Sequence, residues 1–496
     1  EPEACPHAGM FAVLNLLNSF IRQNAAFCRN KSTSTIYALS SGAVRSALAT
    51  IRVSGPNTAS VLRRMAQIKR AAPRRALLRR LIHPKSGVHL DTAIVIWFPS
   101  PRSYTGEDCC ELHVHGGAAV VNGVLKALSE MEDLRQAQPG EFTQRAFLNG
   151  KMDLAEVEGL ADLLQAETEA QRMQALAQME GNLSKLYRGW MDNLKKCLAN
   201  IEAFIDFSED QGIDEAILGS AAAQAERLAK EIQDHLSDGR RGERLRSGVK
   251  VAIVGRTNVG KSSLFNALCR RDAAIVSPVA GTTRDVVESP LDIGGYPAVF
   301  CDTAGLRTSE DPVETEGVLR ARRWASAADL ALVVADCSEL LCADGAGSSV
   351  EAHLDQLGVE PCPGGLLFVL NKTDLLSQED RALLRQRLAG GEHDCIFTSC
   401  ATQEGIADLV ARLAAKLEAM CRNPADASPV LTQERHRHHL RHCLESLGRF
   451  GSHVHGDAVV AAEHLRLALA HLGRITGKVF SEEILDVIFR DFCIGK

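Results

Sequence analysis

Gly255-Arg-Thr-Asn-Val-Gly260-Lys261-Ser262 decides the fold, because an apolar run, Val249 to Val254, precedes it and a helix-like run, Ser263 to Leu268, follows it. A strand, a G-x-x-x-x-G-K-S turn and a helix make a phosphate-binding loop. The glycines allow a tight turn, so that successive backbone N–H groups and the helix N-terminus face an anionic polyphosphate. On this reading Asn258, Val259, Gly260, Lys261, Ser262 and Ser263 lie along the nucleotide, Lys261 adds positive charge and the Ser262 hydroxyl ligates Mg²⁺.

Further along, the apolar run Ala298 to Cys301 ends in Asp302-Thr303-Ala304-Gly305, which puts a carboxylate at a strand tip to hold Mg²⁺ through water and a glycine N–H near the γ-phosphate. Leu366 to Leu370 then leads into Asn371-Lys372-Thr373-Asp374. A carboxylate at that tip accepts hydrogen bonds from both guanine N–H and amino groups and would be left unpaired by adenine, so the base is guanine. Ser399-Cys400-Ala401, with Gly405 opening a helix, forms the third base-side element. This order of motifs, each after an apolar strand, describes a GTPase. Leu306 stands where Ras-like enzymes place a water-orienting Gln, so hydrolysis draws on another group. The candidates are Gly281-Thr282-Thr283-Arg284-Asp285 in the first switch and Glu310, Asp311, Glu314 and Glu316 in the second. Thr283 suits Mg²⁺ and γ-phosphate sensing; the residues alone do not choose among the four acids.

A chain of 496 residues holds about three domains, and 45% hydrophobic with 24% charged residues is a globular composition. The formal charge of -6 excludes nucleic-acid binding by bulk electrostatics and leaves room only for a local basic patch. The most basic stretch contains Arg63, Arg64, Lys69, Arg70, Arg74, Arg75, Arg79 and Arg80, read as a solvated helix-and-loop face, with tRNA or another polyanion as the alternative. Fifteen cysteines without a regular framework indicate a reducing compartment. No apolar run reaches the roughly 18 residues of a membrane helix, so no membrane insertion is expected. Residues 10–35 lack acids and carry Arg22, Arg29 and Lys31, the composition of an organelle transit peptide or of a disordered N-terminus.

Residues 1–35 therefore form a transit-like or disordered leader and 36–149 an α+β domain, with strands at Ala49 to Val53, Thr92 to Phe98 and Cys109 to His115 and a helix over Ala118 to Met131. Apolar residues spaced by three and four between Leu154 and Leu236 predict long amphipathic helices, and helical character resumes near the C-terminus. There Asp457 caps a helix that Gly473 ends, and Ser481 caps Glu482 to Phe489. The architecture is a helical bundle, 150–248 and 421–496, with a Ras-like α/β GTPase domain, 249–420, inserted. Cys337 to Ser349 reads as a loop, and Glu434 to Leu440 as a surface helix whose His436 and His439 only weakly suggest a metal.

The chain resembles the MnmE (TrmE) tRNA-modification GTPases from Ile36 to Lys496. The resemblance rests on Tyr104-Thr-Gly-Glu-Asp108 with His113-Val-His-Gly-Gly117, on Pro139 to Asn149 running into Lys151-Met-Asp-Leu154, on the GTPase loops, and on Phe492-Cys-Ile-Gly-Lys496. With the transit-like leader it matches the mitochondrial branch, which implies the matrix. It implies a homodimer formed through the N-terminal domain, 36–149, which also binds a reduced folate, a tetrahydrofolate derivative, through Arg52, Glu107, Lys151 and Lys496. It implies a flavoprotein partner of the MnmG family carrying FAD, with which carbon five of the wobble uridine of mitochondrial tRNA receives a one-carbon unit and taurine. In the GTPase it implies K⁺ held by Asn258, Ser277, Val279 and Thr282, a water-positioning Glu314, and Cys493 as essential to the modification. Ser277 and Cys400 stand where the family has Thr and Ala. The competing function is a GTP-gated switch for RNA or ribosome assembly without modification chemistry.

Overall fold

The computed structural model describes residues 34–42, 44–211, 216–238, 240–270, 288–301, 328–342, 362–388, 394–422, 430–480, 482–490, 492 and 495. Ser277, Val279, Thr282, Thr283, Arg284, Asp302, Thr303, Ala304, Gly305, Glu314, Ser481, Cys493 and Lys496 lie outside the described residues. The chain divides into two compact units: residues 1–161, 179–192 and 469–496, and residues 162–178 and 193–468.

The first unit contains β1 (Thr35–Leu39), β2 (Leu48–Ser54), β3 (Leu77–Ile82), β4 (His89–Phe98), β5 (Cys109–His115) and β6 (Leu134–Gln136) in one sheet of order β3-β4-β5-β2-β1-β6. Only β1 and β6 pair in parallel; the other neighbours are antiparallel. Alternation along β2 sends Ala49, Ile51 and Val53 into the core, where they meet Val61, Leu112, Val124 and Leu128, and leaves Thr50 and Arg52 on the opposite face. Burying a side chain the size of Ile51 or Val53 contributes about 1.5–3 kcal/mol. The strand β3 departs from the predicted helix-and-loop reading of the basic stretch, because alternation with only one buried residue, Leu81, is too weak a signal to mark an edge strand.

The C-terminal segment belongs to this unit. Leu485 and Phe489 of the Glu482–Arg490 helix, together with Phe492, pack with Phe147, Leu154, Val157 and Leu160. Beyond it Gly495 adopts φ +102, and a Cβ there would meet the Leu39 carbonyl oxygen at 2.2 Å, so the backbone comes against the end of β1.

The second unit contains β7 (Val249–Val254), β8 (Glu288–Ile293), β9 (Tyr296–Cys301), β10 (Leu330–Asp336), β11 (Leu366–Asn371) and β12 (Cys395–Phe397) in the order β12-β11-β10-β7-β9-β8. All pairings are parallel except β8 with β9. Every residue of β10 is buried, the continuous apolar run expected of a strand covered on both faces. The expected strand Val249–Val254 is found with those bounds, and the helix after the loop begins two residues early, at Lys261.

In this unit the short Arg241–Ser247 helix leads into β7. Arg437 donates to Glu243 Oε1, Asp238 Oδ1 and the Leu236 carbonyl, each at 2.7 Å, and Arg244 reaches Asp329 at 2.8 Å. The Glu434–His453 helix corrects the surface reading: His436, Arg437 and His439 are buried. No group of three metal-ligating side chains occurs among the described residues.

Two further expectations change. Of the expected loop Cys337 to Ser349, Cys337–Cys342 is helical, with Cys337 and Leu340 buried beside Ala335 and Leu370, so apolar contact overrides local composition there; residues 343–349 lie outside the described residues. Asp457 does cap a helix, its Oδ1 accepting from Val459 and Val460 N–H, but Ala458–Thr476 runs through Gly473 and stops before Gly477, which takes φ +77. Long helices fill 154–165, 169–179, 182–211 and 216–236 as expected. No helix among the described residues is long and apolar enough to cross a membrane.

Candidate functional site

Parallel strands β7 and β11 deliver the phosphate loop and Asn371–Asp374 to the same carboxyl edge of the sheet, with β10 between them. Ligands bind in such crevices. At the phosphate end Gly260 takes φ +99, and a Cβ on it would lie 2.2 Å from Asn371 Nδ2. Glycine is therefore required twice, for the backbone angle and for the close approach. Lys261 Nζ donates to the Gly255 and Arg256 carbonyls at 2.9 and 2.6 Å, which folds the ammonium back over the loop. Ser262 and Ser263 are exposed at the helix start, where a hydroxyl can reach Mg²⁺. Asn258 is exposed and left-handed, φ 62, a conformation that asparagine tolerates. Val259 is buried and anchors the turn beneath it.

At the base end Asn371 is a buried brace. Its Nδ2 donates to the Val259 carbonyl at 2.8 Å and its Oδ1 accepts from the Cys400 N–H at 3.2 Å, which ties the phosphate loop to the base-side loop. The contact to Cys400 is made by main chain, so Cys in place of Ala preserves it. Asp374 is exposed, and Ser399 Oγ donates to its Oδ1, while the Ser399 hydroxyl accepts from Thr402 N–H at 3.2 Å. The carboxylate is thus aimed and keeps an oxygen for a base edge. Lys372 bonds Asp336 at 2.8 Å. Burial pushes the Asp336 carboxyl up, but the hydrogen bonds from Lys372 and Ser338 outweigh it and hold it below the usual range. The geometry fits a guanine nucleotide at both ends.

A second constellation lies on the opposite face of the N-terminal sheet, where Ile36, Ala38, Ala137 and Phe142 form a smaller buried cluster bordered by Tyr104. Arg52 faces Glu111 across β2 and β5, and its Nε and Nη2 donate to Glu111 Oε1 at 3.2 and 3.0 Å. The guanidinium lies 4.9 Å from the centroid of the Tyr104 ring and 5.8 Å from that of Phe142. Its Nη1 is buried without a hydrogen-bond partner. Leaving a charged donor unmatched costs more than the roughly 1–3 kcal/mol of a neutral group, so this nitrogen marks a place for an acceptor. Glu107 takes Ser54 Oγ at 2.7 Å and Arg145 Nη1 at 3.0 Å, while Arg145, 4% exposed, also holds Glu141 at 2.9 Å. Burial raises the Glu141 carboxyl, and the Arg135, Gln138 and Arg145 contacts outweigh it and bring it below its ordinary value. Lys151 reaches the Pro101 carbonyl at 3.2 Å and lines a cleft of about 440 Å³ with Arg74, Phe98, Arg102, Ser103 and Tyr104.

The structure therefore gathers Asn258–Ser263, Asn371–Asp374 and Ser399 into one site, and places Arg52 on β2, Glu107 in the loop that leads into the neighbouring β5, and Lys151 on the cleft bordered by Tyr104. Tyr104, Glu111, Phe142 and Arg145 join these sites without a signal in the sequence that assigns them there. Arg145 and Tyr104 lie within distinctive segments, but the Arg52–Glu111 pair depends on strand register, which the two separated segments do not reveal.

A family model described as the MnmE helical domain matches residues 154–493, and one described as the GTP-binding protein TrmE N-terminus matches residues 35–151. The chain is 51% identical over 467 residues to the mitochondrial 5-taurinomethyluridine-[tRNA] synthase subunit of Danio rerio, covering 93% of each. It is 49% identical to the Homo sapiens protein of the same description, covering 94% of each. The tRNA modification GTPase MnmE of Parvibaculum lavamentivorans is 48% identical, with 93% of this chain and all of the relative covered.

Proposed function

The chain belongs to the MnmE (TrmE) family of tRNA-modification GTPases, and from that premise we propose that it builds a taurinomethyl group on carbon five of the wobble uridine of mitochondrial tRNAs. The domains divide at about residues 36, 150, 249 and 421. A flavoprotein of the MnmG family supplies FAD, the chain acts as a homodimer in the mitochondrial matrix, and taurine is the incoming amine. Similarity over almost the whole chain to relatives described as taurinomethyluridine synthase subunits carries this reading.

GTP is bound between the phosphate loop and Asp374. Lys261, now turned onto its own loop carbonyls, exchanges those acceptors for phosphate oxygens, so nucleotide entry replaces hydrogen bonds that already exist. Ser262 and Thr283 would hold Mg²⁺, and Asn258, Ser277, Val279 and Thr282 would hold K⁺, which would supply positive charge where negative charge develops between the phosphates. Glu314 orients the water that Leu306 cannot, with Arg284 in the first switch. The reduced folate supplies the one-carbon unit. Arg52 Nη1 would donate to it, with Tyr104 and Phe142 fixing the guanidinium and Arg145 holding Glu107 in place, and Lys151 and Lys496 would provide cationic contacts. The Gly495 backbone against Leu39, next to the Ala38 that pairs with Arg52, supports a C-terminal contribution by Lys496 and Cys493.

Calorimetric titration with 5-formyltetrahydrofolate tests the folate half of the reading. Saturable binding that weakens in Arg52→Lys is expected. Absence of binding, or binding indifferent to Arg52 and to loss of Lys496, favours the assembly-switch alternative.

A further inference from the structure

The stretch from Ser34 to Leu90 contains no Asp or Glu, although the whole chain carries a formal charge of -6. Within it Arg63 and Arg64 close the Thr58–Arg64 helix, Lys69, Arg70, Arg74 and Arg75 occupy the following loop, and Arg79 and Arg80 stand on β3. All eight are exposed, and none forms an ion pair among the described residues. Elsewhere Arg145, Arg244, Arg381 and Arg437 each hold a carboxylate. The bonds that Arg74 and Arg79 do make go to the Arg102 and Leu78 carbonyls, which leaves their charge unneutralised.

Main-chain bonds present these residues as one surface. Ile82 N–H donates to the Met65 carbonyl at 2.9 Å, tying the end of β3 to the end of the helix, and Arg74 N–H donates to Trp97 at 2.8 Å, pinning the loop to β4. Charges on an edge strand also discourage edge-to-edge pairing. That accounts for Arg79 and Arg80, but not for four cations on the loop and two on the helix.

We propose that this face binds the sugar-phosphate backbone of the tRNA substrate. The inference takes the tRNA from the family function and adds where this chain holds it. No Phe, Tyr or Trp occurs between Arg63 and Arg80, so there is no platform on which bases stack; the surface reads phosphates and helix shape rather than sequence. It lets an acidic chain hold a polyanion, and wobble-position specificity is supplied elsewhere.

The test is fluorescence anisotropy of the full-length protein with a transcribed tRNA bearing a wobble uridine, at salt from 50 to 200 mM. The variant is Arg70→Gln, Arg75→Gln, Arg79→Gln and Arg80→Gln together. The control is Lys196→Gln, Arg227→Gln, Lys230→Gln and Arg387→Gln, exposed cations outside this face. The slope of log affinity against log salt should become shallower by about 3 in the variant and by less than about 1 in the control. Low-salt affinity should fall at least about tenfold, equally for a tRNA without a wobble uridine, while basal GTP hydrolysis and 5-formyltetrahydrofolate binding stay intact and report folding. Unchanged affinity and slope overturn the inference, as does an equal loss in the control. Loss of folate binding in the wild type would instead count against the proposed function and leave this surface standing.

Discussion

The guanine end of the nucleotide site and the Arg52 corner of the N-terminal sheet are built in opposite ways. Around guanine the polar frame is complete before any nucleotide enters: Asn371 has both a carbonyl and an N–H, and Asp374 is held by Ser399. At Arg52 the protein satisfies two guanidinium nitrogens and leaves the third buried and unmatched. A finished frame presents one specific group, whereas an unfinished one stores a demand that a ligand meets. Changes to the first should damage specificity or stability, and changes to the second should damage ligand binding.

The contrast breaks most visibly at Asp374. Asp374→Asn exchanges an acceptor pair for a mixed amide, and GTP affinity should fall by about 10³-fold or more, with xanthosine triphosphate recovering much of it. Nucleotide competition binding measures both. Asn371→Ala tests the frame itself. It orphans the Val259 carbonyl and the Cys400 N–H, and should cost about 2–4 kcal/mol by urea denaturation of the nucleotide-free protein, besides weakening GTP binding. At the other corner Arg52→Lys keeps the charge opposite Glu111 and removes the planar fork. Folate affinity should drop about tenfold with stability within about 1 kcal/mol of wild type, since Lys cannot reproduce bidentate geometry.

Much of the nucleotide site was legible because its parts are contiguous. Gly255–Ser262 and Asn371–Asp374 each follow an apolar strand, and a parallel sheet brings strand ends together without further information. What escaped were consequences of three-dimensional pairing. The brace from Asn371 to Val259 joins residues far apart in the chain, and Arg52 meets Glu111 only through the β2–β5 register. The helix at Cys337–Cys342 and the burial of His436 escaped for a related reason: small, polar or ionisable residues were assigned to loop and surface by composition, and packing against distant apolar groups overrode it.

The smallest expected effect separates a structural device from a ligand-binding one. His235 is pushed down to about 4 by burial, which outweighs the Asp238 carboxylate that favours its charge, while His436 and Arg437 add to the depression. A histidine whose folded pKa lies below its unfolded value contributes stability that is present above about pH 6.5 and is lost as pH falls through about 4. Between pH 7.5 and 5 the helical region should lose about 1–2 kcal/mol in denaturant titrations, allowing for partial exposure. His235→Gln should flatten that dependence while folate binding at pH 7.5 remains unchanged.

The central claim is that GTP hydrolysis by this chain serves wobble-uridine modification, and nucleoside mass spectrometry of mitochondrial tRNA from cells depleted of the protein tests it most directly. The account predicts loss of 5-taurinomethyluridine with accumulation of unmodified uridine, restored by the wild-type chain and not by Asp374→Asn. Unchanged wobble nucleosides in depleted cells would contradict it.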